Sequence, residues 1–171
     1  MTNFKLSEYL NFYRKYKNII LFNKNLILSG IAAFFAGSIF TQLYAAQQLV
    51  ANSNSNNLLN AVTTLSVEYG VYIPLFSTLF YLDNKYKYVH PITGQKDSRQ
   101  IKRDIKKLLA AFSISELIYS ASKISIQYYL LQRNIEPYQA SMLAAIVAWS
   151  IFLLCINTSV KAVKLFKKSN K

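Results

Sequence analysis

Residues 108–131 read LLAAFSISELIYSASKISIQYYLL, a mostly apolar run that carries Glu116 and Lys123 near its middle. The run exceeds the about 20 residues that a helix needs to cross the roughly 30 Å hydrocarbon core of a bilayer. A charged side chain at the centre of a bilayer costs about 2.5 to 3.5 kcal/mol on insertion scales, so both charges should face protein or water rather than lipid. The stretch therefore predicts a membrane helix with one polar face turned into a bundle.

Three further apolar blocks of similar length cover residues 26–50, 59–82 and 138–160. The chain is 53% hydrophobic and 15% aromatic, which is high for a soluble domain of 171 residues. Four such blocks predict an all-α integral membrane protein, a four-helix bundle of two in-out-in helical hairpins. A cleaved signal peptide is not expected, because the first block is longer than the 7 to 15 apolar residues of a signal sequence.

The segments outside the blocks are polar and basic. Residues 1–25 mix basic and aromatic side chains, which is typical of an interfacial helix leading into the first span. Residues 83–107 form a basic loop and residues 161–171 a basic tail. Two helix starts are also predicted: Asp97 with Gln100 resembles a capping box, which starts a helix near Ser98, and Pro137 opens the fourth span.

The distribution of charge predicts the orientation of the protein. The formal net charge is +13, and all but Lys123 and Arg133 of the 20 basic residues lie in the N-terminal segment, the loop and the tail. With four spans these segments share one side, so the positive-inside rule places both termini in the cytoplasm of a multi-pass cell-membrane protein. The same segments predict contact with anionic lipid headgroups. Since no nucleic-acid reader motif accompanies the charge, nucleic acid is not a predicted partner.

The sequence contains no recognisable motif for catalysis or for metal binding. Cys155 and His90 are each the only residue of their type, so an intrachain disulfide is impossible and neither has partners at metal-ligand spacing. No Ser, His and Asp set and no phosphate-cradling glycine loop can be assembled. We therefore predict neither an enzyme nor a bound cofactor or metal.

Polar side chains fall on one face of two of the blocks. A helical wheel at 100° per residue groups each set within about 80° of arc. The sets are Asn60, Thr64, Glu68 and Tyr72 on the second block, and Ser113, Glu116, Ser120, Lys123 and Gln127 on the third. Glu68 and Lys123 both lie about 12 to 14 Å from the outer ends of their spans, and Gln42 lies at a similar depth in the first span. We predict a Glu68–Lys123 ion pair inside the bundle, braced by Gln42.

Glu116 lies about 12 Å from the inner end of its span, with no basic residue at the same depth in any span. Its carboxyl group either reaches Lys123 two turns away or is protonated in apolar surroundings. Of the three charges in the spans, it is the one expected to bind or release a solute. The alternative for the whole polar set is that it only fixes the register and pairing of the helices.

Two functions remain open. The first span carries small residues at every fourth position, Ser29, Ala33, Gly37, Thr41 and Ala45, and such ridges let membrane helices approach closely. One hypothesis is a non-catalytic structural or accessory subunit, whose exposed ridges pair with a larger membrane protein or a second copy. The other is a carrier or flippase for a small or lipid-linked anionic solute, acting through Glu68, Glu116 and Lys123. The carrier hypothesis predicts a cavity that reaches the depth of Glu116.

The last quarter of the chain contains IEPYQASMLAAIVAWSIFLLCINTSVKAVKLF, residues 135–166. A turn with Pro137 is followed by Ala140 and Ala144, then by Asn157 and a basic exit that ends at Phe166. This stretch resembles the GtrA-like family of small four-span membrane proteins. The resemblance implies a four-span fold and a role in moving polyprenyl-linked sugars.

Overall fold

The computed structural model describes residues 2–50, 56–89, 94–163 and 165, with side chains from residue 16 onward except at 49 and 50. The elements are α1 (Thr2–Val50), α2 (Asn57–Asn84), α3 (Ser98–Gln132) and α4 (Pro137–Ala162), with a short 3-10 helix at Lys85–Tyr88. The described residues form no β-strand, apart from an isolated bridge between Val89 and Lys96. The predicted all-α class is confirmed.

Side chains at the helix starts determine where three of the helices begin. Asn56 accepts a hydrogen bond from the Leu59 amide at 3.0 Å, which caps α2. The Asp97 carboxylate accepts from the amides of Arg99 and Gln100, so the predicted start of α3 at Ser98 is confirmed. Pro137 occupies the first turn of α4, as predicted, where its missing N–H has no intrahelical partner to lose.

Each helix packs against two neighbours. The hairpins α1/α2 and α3/α4 lie side by side, with α1 against α4 and α2 against α3. Contacts between residues far apart in the sequence lie at one end of the bundle: Lys24 pairs with Asp83 at 2.9 Å, and Asn23 exchanges two hydrogen bonds with Asn157. This end, which we call the basic end, also holds the connection between α2 and α3.

The observed helix bounds differ from the predicted segments. Helix α1 has 49 residues, so the expected boundary between residues 25 and 26 lies inside one continuous helix. Its packing in the bundle already includes Phe22, which is 2% exposed. Parts of the predicted connections lie outside the described residues: 51–55 of the outer turn, 90–93 of the basic loop including His90, and most of the tail.

Three of the four helical regions are long and apolar enough to cross a membrane: Tyr16–Gln48, Asn57–Tyr88 and Pro137–Ala162. Helix α3 is longer than α4 but is not among them. Its serines, Glu116 and Lys123 lower the mean hydropathy of the stretch predicted to be the third span. The prediction of four apolar spans is therefore confirmed for three by length and composition.

Aromatic rings from all four helices fill the core toward the basic end. Phe22 of α1 meets Phe76 of α2 edge-on at 5.7 Å between ring centroids and Phe112 of α3 at 6.3 Å. Phe112 in turn lies 6.0 Å from Phe152 of α4. These tilted and edge-on arrangements add to the free energy of apolar burial, because they align the ring quadrupoles favourably.

The outer surface is unusually apolar. Large side chains such as Phe35 on α1, Ile73 on α2, Leu117 on α3 and Leu154 on α4 are more than half exposed. A soluble monomer rarely exposes continuous apolar surface on every helix. The surface is typical of a protein whose helices contact lipid.

Candidate functional site

The predicted ion pair between Glu68 of α2 and Lys123 of α3 is present. The distance from Nζ to Oε1 is 2.9 Å, and the side chains are 3% and 0% exposed. The Tyr119 hydroxyl donates to the other carboxylate oxygen of Glu68 at 2.9 Å. Lys123 also donates to the carbonyl oxygen of Ser141 on α4 at 2.6 Å and contacts its hydroxyl at 3.2 Å. One buried pair thus joins α2, α3 and α4.

Helix α1 places a glycine, Gly37, next to the ion pair. A Cβ atom placed on Gly37 would lie 2.6 Å from Cγ of Glu68, far inside van der Waals contact. Ser29, Ala33 and Thr41 on the same ridge are buried as well. The predicted close packing of α1 is confirmed, and the ridge is used within the chain rather than left exposed for a partner.

A second polar cluster lies farther from the basic end. Thr41 and Thr64 both donate to Oδ1 of Asn60, the latter at 3.2 Å. Gln127 donates to the hydroxyls of Thr41 and Thr64 at 3.3 and 3.4 Å. All four side chains are buried, so the cluster joins α1, α2 and α3 by hydrogen bonds that lipid could not provide.

The prediction that Gln42 braces the ion pair is wrong. Gln42 is exposed, and its side-chain oxygen accepts a hydrogen bond from the Tyr138 amide at 3.3 Å, at the start of α4. Its depth matches the ion pair, but it follows Thr41, which faces inward, and one residue rotates a helix by about 100°. The small-residue ridge already marks the inward face of α1 and excludes position 42.

The predicted polar stripe on α3 is correct only in part. Lys123 and Gln127 are buried and Glu116 and Ser120 are half-buried, but Ser113 is exposed and donates to the carbonyl of Leu109. The fully inward ridge is Ser115, Tyr119, Lys123 and Gln127, at every fourth position. Sequence reasoning missed Tyr119, Tyr69 and Ser141, because tyrosine and serine occur on lipid-facing and buried surfaces alike.

Glu116 has tyrosine and serine neighbours instead of a cation. The Tyr69 hydroxyl lies 2.7 Å from both a Glu116 carboxylate oxygen and the Ser120 hydroxyl, and Ser120 donates to the carbonyl of Glu116. The expected option that Glu116 reaches Lys123 is wrong, because Lys123 binds Glu68 and Ser141. Glu116 takes part in neither the Lys24–Asp83 nor the Glu68–Lys123 ion pair.

A cavity of about 290 Å³ lies beside Glu116. Glu68, Glu116 and tyrosines of α2 and α3 line one side, while apolar residues of α1 and α4 line the other. Ile31 and Ile146 belong to this lining and are 48% and 55% exposed. The cavity therefore reaches the apolar outer surface on the side of α1 and α4.

Two lining residues define the wall further. Trp149, the one tryptophan of the chain, packs against the backbone of α1, where a Cβ on Gly30 would lie 2.8 Å from Cη2 of its ring. Tyr72 lines the cavity and is 7% exposed, and its hydroxyl has no hydrogen-bond partner among the described residues. The site thus combines two carboxylates, an unpartnered hydroxyl and an indole ring.

Comparison with known proteins gives no family for the chain. No family model, curated protein or solved structure matches it. The function proposed below rests on the geometry of the chain's own residues.

Proposed function

We propose that the chain is a non-catalytic, four-span membrane protein that binds a small amphipathic solute in the cavity beside Glu116 and acts as its carrier. The observation that carries this proposal is the cavity itself, which runs from the apolar outer surface to two carboxylates in the interior. Ligand sites are usually concave, mostly apolar and provided with a few convergent polar groups, and this cavity has all three properties.

The burial of the charges of α3 supports this helix as a membrane span in addition to the other three. Between residues 108 and 131 the exposed side chains are uncharged, and the large ones among them are Leu109, Ile114, Leu117, Tyr128 and Tyr129. Lys123 is fully buried in the ion pair, and Glu116 faces the cavity. Since the cost of insertion falls on charges that face lipid, packing against α2 and α4 lets α3 cross the bilayer despite its modest hydropathy.

The proposed orientation places the basic end in the cytoplasm of a cell membrane. The N-terminal segment, the connection between α2 and α3 and the C-terminal tail hold nearly all basic residues, whereas Arg133 is the basic residue of the opposite connections. The positive-inside rule then puts both termini in the cytoplasm. Anionic lipid headgroups are the proposed partners of the basic end, at about 1 kcal/mol for each lysine or arginine near the surface.

Cysteine labelling tests this topology. In a Cys155→Ser background, Asn56→Cys and Glu136→Cys should react with a membrane-impermeant maleimide on intact cells, because both exposed positions lie at the end opposite the basic end. Lys96→Cys and Ser98→Cys should react only after the membrane is permeabilised. Labelling of positions 56 and 98 from the same side would disprove the four-span topology.

The cavity favours a different charge on the solute from the one expected from the sequence. Its charged lining groups are the carboxylates of Glu68 and Glu116, while Lys123 does not line it. An anionic solute would meet carboxylates at short range in a medium of low dielectric constant, which is unfavourable. We therefore propose an amphipathic solute without the negative charge.

Fluorescence of Trp149 tests binding in the cavity. Full-length protein in phosphatidylcholine nanodiscs is titrated with benzyltrimethylammonium, its neutral carbon analogue neopentylbenzene, and phenylacetate. At least one probe should change the emission in a saturable manner, and Ser150→Phe should abolish that change, because Ser150 is an exposed part of the lining.

Ser113→Phe is the matched control for this experiment. Ser113 is also exposed and also donates to the carbonyl four residues earlier, but it lies outside the cavity lining. It should leave the titration unchanged. If no probe produces a saturable response, or if both phenylalanine variants act alike, the cavity is not a solute site and the proposal fails.

A non-catalytic structural or accessory subunit is the second candidate. The Glu68–Lys123 pair and the polar cluster of Thr41, Asn60, Thr64 and Gln127 favour it, because these buried groups bond to one another and can fix helix register without a ligand. This candidate predicts that a stoichiometric membrane partner or second copy copurifies in mild detergent. The resemblance of the last quarter to the GtrA-like family stays a prediction, and neither candidate rests on it.

A further inference from the structure

We infer that the solute of the cavity is a lipophilic monovalent cation, an organic ammonium with its charged head at Glu116 and its apolar body against α1 and α4. The inference rests on the proposed function, since it names the class of solute for the same cavity.

The charge balance of the interior leaves one carboxylate without a counter-ion. Glu68 and Lys123 cancel each other at 2.9 Å, and Lys123 has its remaining contacts with Ser141. Glu116 accepts a hydrogen bond from the Tyr69 hydroxyl but takes part in neither the Glu68–Lys123 nor the Lys24–Asp83 ion pair. A buried carboxyl group without a counter-ion remains protonated, and a single positive charge delivered by a solute would stabilise its ionised form.

The surroundings of Glu116 suit an ammonium group. Tyr72 lines the same cavity with an unpartnered hydroxyl, whose oxygen can accept an N–H that the solute donates. Leaving a buried polar group unsatisfied costs about 1 to 3 kcal/mol, which a ligand bond would recover. The rings of Tyr69, Tyr119 and Trp149 also line the cavity and can attract a cation through their faces.

The composition and size of the cavity indicate the apolar part of the solute. The apolar side of the cavity is formed by Ile31, Phe34, Ile146 and Trp149. The cavity opens to the lipid-facing surface beside the two isoleucines, which are exposed. Its volume of about 290 Å³ is at the lower limit of small-molecule pockets, which span about 300 to 1,000 Å³. A cation with one aromatic ring or a short alkyl chain therefore fits better than a large multi-ring drug or a sugar-linked lipid.

A metal ion fits the site poorly. Calcium and magnesium require six or more oxygen ligands or retain several waters, and transition metals prefer His and Cys. Within the described part of the chain, no group of three or more His, Cys, Asp or Glu side chains could hold a metal. The donor set of one free carboxylate and aromatic hydroxyls instead matches an organic ammonium.

Comparing the charged and neutral probes in nanodiscs, in the wild type and in a Glu116 variant, tests the inference. Benzyltrimethylammonium and neopentylbenzene have the same shape and differ only in the positive charge, and Trp149 reports occupancy of the cavity for both. In the wild type, benzyltrimethylammonium should change the Trp149 emission in a saturable manner. Glu116→Gln should weaken the binding of this cation by about tenfold or more, while leaving the binding of neopentylbenzene unaffected. The matched control Glu136→Gln, an exposed glutamate outside the cavity, should change neither.

A second variant examines the unpartnered hydroxyl. Tyr72→Phe should weaken benzylammonium, which has N–H donors, by about tenfold, and should leave benzyltrimethylammonium unaffected because it has none. The variant should fold normally, since it removes a buried hydroxyl that has no hydrogen-bond partner in the described part of the chain. A purely structural role of Tyr72 would affect the two cations equally.

The outcomes separate this inference from the proposed function. If neopentylbenzene binds as tightly as the cation and Glu116→Gln changes neither, the cavity binds solutes but the cationic class is wrong. If phenylacetate is preferred, the class is also wrong. If no probe gives a saturable response that Ser150→Phe removes, the proposed function itself fails, and the inference fails with it.

Discussion

Replacing Lys123 with methionine is expected to lower the free energy of unfolding by about 3 to 5 kcal/mol, because it leaves the buried carboxylate of Glu68 without its counter-ion. Glu68 would keep only the hydroxyl of Tyr119, and the carbonyl of Ser141 would lose its ammonium donor. Methionine has nearly the length of lysine, so the loss reports the charge rather than a void. Thermal unfolding in detergent and steric-trap unfolding in bicelles both measure it.

The double variant Glu68→Gln with Lys123→Met separates charge from packing. Replacing both members of a buried ion pair is often close to neutral, so the double variant should recover most of the stability lost by Lys123→Met alone. Lys106→Met is the control for loss of a lysine, since Lys106 is exposed on the same helix, and it should change stability by less than about 0.5 kcal/mol. A Lys123→Met protein as stable as the wild type would show that the pair does not hold α2, α3 and α4 together.

Replacing Gly37 with alanine is expected to lower the free energy of unfolding by about 2 kcal/mol or more, although alanine is the better helix former by about 1 kcal/mol. The added methyl group would overlap the Glu68 side chain, whose Cγ would be 2.6 Å away. Glu68 cannot move aside freely, because Lys123 and Tyr119 hold both of its carboxylate oxygens. Either α1 separates from α2 or the ion pair is distorted.

Gly70→Ala is the matched control, because it adds the same methyl group to a glycine in the middle of α2. A Cβ at Gly70 has no neighbour within 4 Å, and the residue is exposed. This variant should be unchanged or more stable by about 0.5 to 1 kcal/mol. If both alanine variants shift the unfolding midpoint equally, the close approach of α1 to Glu68 is not what limits stability.

The elements that depend on local sequence were predictable. The cap at Asp97 and the proline at position 137 act within one turn of their own helices, so the starts of α3 and α4 follow from neighbouring residues. The Glu68–Lys123 pair was predictable for a related reason. Two opposite charges at the same depth in adjacent apolar blocks have few other ways to avoid lipid.

Predictions failed where depth alone was used to infer a contact. Gln42 lies at the depth of the ion pair, but the rotation of α1 turns it outward to the Tyr138 amide. Ser113 falls within the arc of the polar stripe but lies at its edge, where the surface of α3 is exposed. Depth follows from position in the sequence, whereas the direction of a side chain also depends on how its helix is rotated against its neighbours.

The carrier hypothesis predicted a cavity at the depth of Glu116, but the lining of the cavity and its opening could not be predicted, because they depend on the space that the helices leave unfilled. Its lining comes from all four helices, with Gly30 and Trp149 on one side and Tyr69 and Glu116 on the other. None of these residues has a periodic signal that differs from an ordinary apolar or polar face. A void forms only when the side-chain volumes of several helices are summed at one level of a packed bundle.

By itself, the amino-acid sequence determined the all-helical class, the starts of α3 and α4, the concentration of basic residues in three segments and the need of Glu68 and Lys123 to avoid lipid. Each of these depends on short-range hydrogen bonding, on hydropathy along the chain or on the cost of charge in an apolar medium. Only the tertiary structure decided that Glu116 lies with Tyr69 instead of Lys123, that Tyr72 keeps an unpartnered hydroxyl, and that both face a cavity open on the side of α1 and α4. The physical reason is that competition for a single ammonium group, and the space left between helices, depend on the relative rotation and separation of all four helices at once.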